Sequence, residues 1–181
     1  MTNVYYSSID EYDDIDTKNI YRRELSHGKT EKEALECAQK LSRDNARSPM
    51  QWSDEKNGGF TSGTPWLGVN PNYEAINVKK EETGGLSVLK YYRKLIALRQ
   101  SSETLRRGSL SFINFDSPVF INYKRTLGED EYVVLSNFSD QKNMLGFALA
   151  GYKIVLSNYF LQRSESIYFM EPYEVIVLRK I

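Results

Sequence analysis

The hydrophobic pattern of this chain changes period once, and that change limits the folds open to it. Up to Arg107 the apolar residues recur every three or four positions or lie scattered among glycines and prolines. Beyond Gly108 they recur every second residue. Seven short alternating runs follow, at 109–115, 119–127, 131–138, 143–149, 152–159, 166–170 and 173–179. Turn signals such as Asp116-Ser117-Pro118, Gly128-Glu129-Asp130 and Ala150-Gly151 separate them. The second part is therefore expected to be an antiparallel sheet domain, a small sandwich. The expected fold class is α+β, divided near Ser102 into residues 1–102, helical and irregular, and 103–181, all strand.

Two helices are expected early. The first runs over 16–25 with Ile20 and Leu25 inward and ends at Gly28. The second opens at Thr30, where Thr30-Glu31-Lys32-Glu33 is a capping box, and carries Ala34, Leu35, Cys37, Ala38 and Leu41 on one face. A third, over 86–100, places Val88, Tyr92, Leu95, Ile96 and Arg99 on one face, widened by Leu89 and Leu98, with Lys90, Arg93 and Lys94 toward water. The acidic run 7–16 has no glycine at a sharp turn, so it is expected to be a solvated loop leading into a helix N-terminus, not a calcium loop. His27, the only histidine, has no visible partner for catalysis and reads as a surface turn residue.

Composition excludes several partners. There are 24 basic and 24 acidic residues, so charge gives no reason to expect nucleic acid or an anionic membrane. The single cysteine cannot form an internal disulfide. The N-terminus lacks the pattern of a signal peptide, no apolar run is long enough to span a bilayer, and a cytoplasmic location is expected.

The densest polar stretch is Ser42-Arg43-Asp44-Asn45-Ala46-Arg47-Ser48-Pro49-Met50-Gln51-Trp52. Two arginines, an aspartate, two amides and an aromatic suit recognition of a hydroxyl-rich ligand. The same residues would also build a buried ion-pair corner of Asp44 with its two arginines. The segment 53–77, punctuated by Gly58, Gly59, Gly63, Pro65, Gly68 and Pro71, is expected to be a long loop. Its Phe60, Trp66 and Tyr73, with Trp52, either stack on sugar rings or anchor the loop to a scaffold.

Together with Gly59-Phe60-Thr61, Pro65-Trp66-Leu67-Gly68-Val69-Asn70-Pro71-Asn72-Tyr73, Ile76-Asn77-Val78 and Tyr91-Tyr92-Arg93-Lys94-Leu95-Ile96-Ala97-Leu98-Arg99, this stretch resembles the C-terminal third of the α-glucosidases of glycoside hydrolase family 13, in the α-amylase superfamily. The similarity is to the oligo-1,6-glucosidase, dextran glucosidase and trehalose-6-phosphate hydrolase group. Ser48 stands where threonine is common, and Gly58 where alanine is common.

The resemblance implies a (β/α)8 barrel followed by a β-domain. Residues 1–102 would be the last loops and helices of that barrel, without its strands, and Met1 would fall just after the eighth strand. Family members retain anomeric configuration with an aspartate nucleophile and a glutamic acid. Both lie upstream of the matched region, so no catalytic residue is assigned and Asp10, Asp13 and Asp14 are not promoted to that role. Arg43 is implied to bind the terminal glucose, with Arg47 and Asp44 supporting it. No metal or cofactor is implied, and the partner is a small oligosaccharide. The isolated segment is expected to be inactive and to expose apolar surface that favours self-association or docking on a partner fragment. The competing reading is a non-catalytic carbohydrate-binding or structural β-sandwich module.

Overall fold

The computed structural model describes residues 2–159 and 166–181. The expectation for Met1 lies outside these residues. The chain forms two compact units, Met1–Leu89 and Lys90–Ile181.

The first unit contains three helices, α1 (Ile15–Ser26), α2 (Glu31–Leu41) and α3 (Val78–Thr83), joined by loops and short 3-10 turns. Asp14 caps α1 by accepting the Thr17 amide proton, and the expected capping box of Thr30 and Glu33 opens α2. Gly28, at φ +85°, makes the turn between them, and His27 lies exposed beside it. A small core of Val4, Tyr6 and Tyr12 is extended by Ile9 and Leu35. The Tyr6 and Tyr12 rings meet edge to face at 4.9 Å, and the Tyr6 hydroxyl donates to the Gly68 carbonyl at 2.6 Å. Burial first, then the Asp44 charge, pushes that phenol up to about 12.

The helix faces differ from the sequence expectation in an informative way. In α1 Ile20 and Leu25 are only half-buried, whereas Thr17 and Glu24 are buried. Both polar groups are paired, Thr17 with Asp14 and Ser42, and Glu24 with Arg23 and Lys29. In α2 Ala34 and Ala38 are buried as expected, but Leu41 is 64% exposed. The amphipathic pattern marks which side chains prefer to leave water, and this unit does not cover all of them.

The long loop is held chiefly by amides. Gln51, fully buried, donates to Asn72 Oδ1 and to the Ile76 carbonyl, both at 2.8 Å. Asn70 Nδ2 reaches the Thr2 hydroxyl and the Asn3 carbonyl at 3.1 Å, and Asn77 caps α3. Leu67 is the large apolar side chain it buries. Trp52, Phe60 and Trp66 stay exposed, so these rings do not anchor the loop by burial.

The second unit holds most of α4 (Val88–Ser101), α5 (Glu103–Arg107) and seven strands. These are β1 (Ser109–Ile113), β2 (Asn122–Leu127), β3 (Asp130–Ser136), β4 (Asn143–Ala148), β5 (Tyr152–Ser157), β6 (Ser166–Met170) and β7 (Val175–Lys180). The order β1-β2-β3-β7-β5 forms one five-stranded antiparallel sheet, and β4-β6 forms a separate two-stranded ribbon. Val133 and Leu135 of β3 and Ile176 and Leu178 of β7 share one core with Ile167 and Met170 of the ribbon. The alternate residues Tyr132 and Val177 join Leu105 of α5 and Leu98 of α4 in another cluster. Both faces of β3 and β7 are thus covered, which is why these strands read as nearly continuous apolar runs.

The units part between Leu89 and Lys90, earlier than the boundary near Ser102 that the change of period suggests. The helix groups with the strands because Leu98 packs into their cluster and the Arg99 guanidinium donates to the Leu105 carbonyl. At the change of period itself, Gly108 is required by space. A Cβ there would stand 2.5 Å from the Thr104 carbonyl oxygen and 2.8 Å from that of Thr126. Both obstacles are backbone. Gly108→Ala is expected to lower stability by about 1–3 kcal/mol in urea unfolding, and a loss within 0.5 of zero, by the roughly ±0.5 kcal/mol scatter of neutral sites, would contradict this packing.

Candidate functional site

The arginine-rich stretch begins with a 3-10 turn, Arg43–Ala46, opened by Ser42, whose hydroxyl accepts the Asp44 amide proton. That turn is locked to the start of α1. Asp44 is 0% exposed, and its Oδ2 accepts the backbone N–H of Asp13 at 2.8 Å and of Asp14 at 3.0 Å. Arg47 Nη2 lies 2.8 Å from Asp44 Oδ1 and 3.3 Å from Asp14 Oδ1. The first contact is an ion pair off the hydrogen-bond axis, since Oδ1 has no directed donor. Asp14 Oδ2 in turn accepts from the Thr17 hydroxyl at 2.6 Å and the Arg43 amide at 3.4 Å. Burial alone would push the Asp14 carboxyl up; the Thr17 hydroxyl, the Arg43 and Thr17 amides and the Arg47 charge outweigh it and hold it below the usual carboxylate range.

Asp44 and Arg47 are therefore brought together, and Arg43 is not part of their pair. The corner that the sequence allowed between Asp44 and two arginines forms with one arginine and a second aspartate, Asp14. The Arg43 side chain is 74% exposed, with its Nη1 4.0 Å from Asp16 Oδ2. It lines an open depression of about 670 Å³ with Asp16, Asn19, Ile20, Arg23 and Leu41. A guanidinium in that setting has donors to offer a ligand, and Asp16 stands beside it as an acceptor.

Beside the lock stands an exposed ring. Trp66 donates its indole N–H to Asp13 Oδ2 at 2.9 Å, and the Arg47 guanidinium carbon lies 5.6 Å from the ring centre. Trp66 is thus oriented from two sides without being buried. Asp14, Thr17 and Asp13 are the residues that sequence reading did not assign to this cluster. The acidic run does lead into a helix N-terminus, but Asp14 is buried there and not solvated. An aspartate directly ahead of the first apolar residue of a helix was the available signal. Asp14 and Asp44 are committed to amides, a hydroxyl and Arg47. Among the described residues no group of three or more His, Cys, Asp or Glu is placed to hold a metal ion, and no helix is long and apolar enough to cross a membrane.

Comparisons with known proteins bear on the same residues. The family described as alpha amylase, catalytic domain, matches residues 2–108. The oligo-1,6-glucosidase of Parageobacillus thermoglucosidasius is 40% identical over 174 residues, which are 92% of this chain and 31% of that protein. The crystal structure of trehalose-6-phosphate hydrolase from Bacillus licheniformis matches with a TM-score of 0.90 at 33% identity, over 99% of this chain and 34% of the other. Isomaltulose synthase from Klebsiella sp. LX3 matches with a TM-score of 0.86 at 34% identity, over 99% and 33%. The chain spans about a third of the length of the relatives it matches.

Proposed function

Since the chain belongs to the α-amylase catalytic-domain family, we propose that it is the C-terminal portion of a retaining, exo-acting α-glucosidase. The reaction would be hydrolysis of short α-glucosides, isomalto-oligosaccharides first and trehalose 6-phosphate as the alternative, in cytoplasmic carbohydrate catabolism. Residues 1–102 supply the last loops and helices of the barrel, and 103–181 the β-domain. What carries this reading is the 40% identity to an oligo-1,6-glucosidase across 92% of the chain.

The role of this portion is binding. Arg43 contacts hydroxyls of the non-reducing terminal glucose, with Asp16 alongside. Asp44, Asp14 and Arg47 fix the turn that carries it, and none of them takes part in chemistry. Nucleophile and acid/base belong to the part of the relatives outside the matched region, so the isolated chain is inactive.

Two measurements test the proposal. Isomaltose is expected to change tryptophan emission saturably, with a Kd on the order of millimolar, and Arg43→Ala is expected to abolish the change. A flat response with the unaltered chain removes Arg43 as a sugar ligand in this portion. Release of glucose from isomaltose or p-nitrophenyl α-glucoside by the purified chain would overturn the division of labour.

A further inference from the structure

The loop after the arginine stretch holds the one asparagine of the chain that is followed by glycine, Asn57-Gly58. In such a pair no side chain shields the glycine amide nitrogen, which can reach the asparagine side-chain carbon. The nitrogen bonds to Cγ, the Cγ–Nδ2 bond breaks, and Nδ2 leaves as ammonia with the proton that the nitrogen gave up. A cyclic imide remains. Water then adds to one of its two carbonyls and reopens the ring. The product is aspartate or isoaspartate, whose main chain runs through the former side-chain carbon. Water is the co-reactant, and no electrons are exchanged.

The folded turn holds both reacting groups. Asn57 and Gly58 are left-handed, at φ +57° and +64°, as this pair favours in a tight turn. Gly58 is buried, and its N–H donates to the Glu55 carbonyl at 2.8 Å. The Asn57 side-chain amide donates to the carbonyls of Thr61 at 3.0 Å and Gly63 at 2.8 Å. The first bond holds the proton that the attacking nitrogen must lose. The other two hold the nitrogen that must leave. The turn also anchors the end of the arginine stretch, because the Gly58 carbonyl accepts the Trp52 amide at 2.7 Å and the Ser53 amide at 3.0 Å.

We propose that Asn57 is a deamidation site gated by this turn: inert while the turn is closed, it converts when the loop opens, and the product prevents the turn from closing again. Aspartate would face the Thr61 and Gly63 carbonyls with a carboxylate that has no proton to donate. Isoaspartate would lengthen the main chain and move the Gly58 carbonyl off the Trp52 and Ser53 amides. An opening of the loop is thereby made permanent. Nothing in this gate depends on family membership or on sugar binding.

The full chain is incubated at mildly alkaline pH, in native buffer and in denaturing urea. Conversion is read by mass spectrometry of the peptide containing Asn57, with isoaspartate scored separately. In urea Asn57 is expected to convert ahead of every other asparagine, and Gly58→Ala to slow it. In native buffer the parent should convert at least about tenfold more slowly than in urea. Gly59→Ala loosens the turn and leaves both reacting groups in place, since Gly59 is at φ +69° and a Cβ would stand 2.6 Å from Ser53 Oγ. It should speed conversion about fivefold or more in native buffer and leave the rate in urea unchanged. The Trp52 and Ser53 amides should exchange at least about tenfold faster in the converted chain, and in Asn57→Asp, than in the parent. Three results overturn the proposal: Asn57 converts as fast in the folded chain as in urea, another asparagine converts ahead of it in urea, or the converted chain protects the Trp52 and Ser53 amides as well as the parent does.

Discussion

Asp44→Ala is expected to destabilise the first unit by about 3–5 kcal/mol, most of what a small unit has to lose. The carboxylate is fully buried and holds two backbone amides and one guanidinium. Alanine strands the Asp13 and Asp14 amides at the mouth of α1 and leaves Arg47 facing Asp14 alone. The asparagine variant separates the contributions: it keeps an acceptor for the amides and loses the charge, so about 1.5–3 kcal/mol is expected. Because Asp44 and Arg47 share one cluster, Arg47→Ala added to Asp44→Ala should cost less than the sum of the two singles. Urea unfolding followed by tryptophan emission measures all four proteins. If Asp44→Ala cost under about 1 kcal/mol, within the range of an exposed pair, the turn carrying Arg43 would owe its position to something else.

The contrast between Asp44 and Arg43 also shows what could be read from the sequence. Period two after Gly108 marked seven strands, and all seven are present, although β3 and β7, covered on both faces, do not alternate in burial. The Thr30–Glu33 capping box was equally legible, since its geometry is local. The arginine stretch was legible as a polar cluster and through its family resemblance, but not in its pairing. Which arginine meets Asp44 depends on Asp14 and Thr17, about 30 residues away in sequence. Leu41, Val88, Tyr92 and Ile96 lie on the apolar helix faces that the sequence marks, and they are exposed, which shows the limit of an amphipathic pattern. It states a preference for burial and says nothing about whether the same unit supplies the cover.

The second unit has its own buried polar hub, and Asn137 is expected to be its most sensitive position. The side chain is 1% exposed. Its amide donates to the carbonyls of Gln141 at 2.7 Å, Glu171 at 2.9 Å and Met170 at 3.3 Å, while its Oδ1 accepts from Asn143 at 3.1 Å. One residue past β3, it thus ties the sheet to both strands of the ribbon, at the start of β4 and the end of β6. Those ribbon strands bring Ile167 and Met170 onto Val133, Leu135, Ile176 and Leu178. Asn137→Ala takes a donor from the buried Met170 carbonyl and the half-buried Glu171 carbonyl, while the Gln141 carbonyl keeps its bond from Asn143; at about 1–3 kcal/mol for a buried group stranded, a total loss of about 2–3 kcal/mol is expected. Aspartate is the sharper test, being nearly the same shape with no donor: it turns three attractive contacts into acceptor-to-acceptor ones and should be at least as damaging as alanine. Chemical unfolding, with hydrogen exchange of the β4 and β6 amides, reads both variants. An aspartate variant within about 0.5 kcal/mol of the parent would mean that packing of the ribbon, and not this amide, holds the two sheets together.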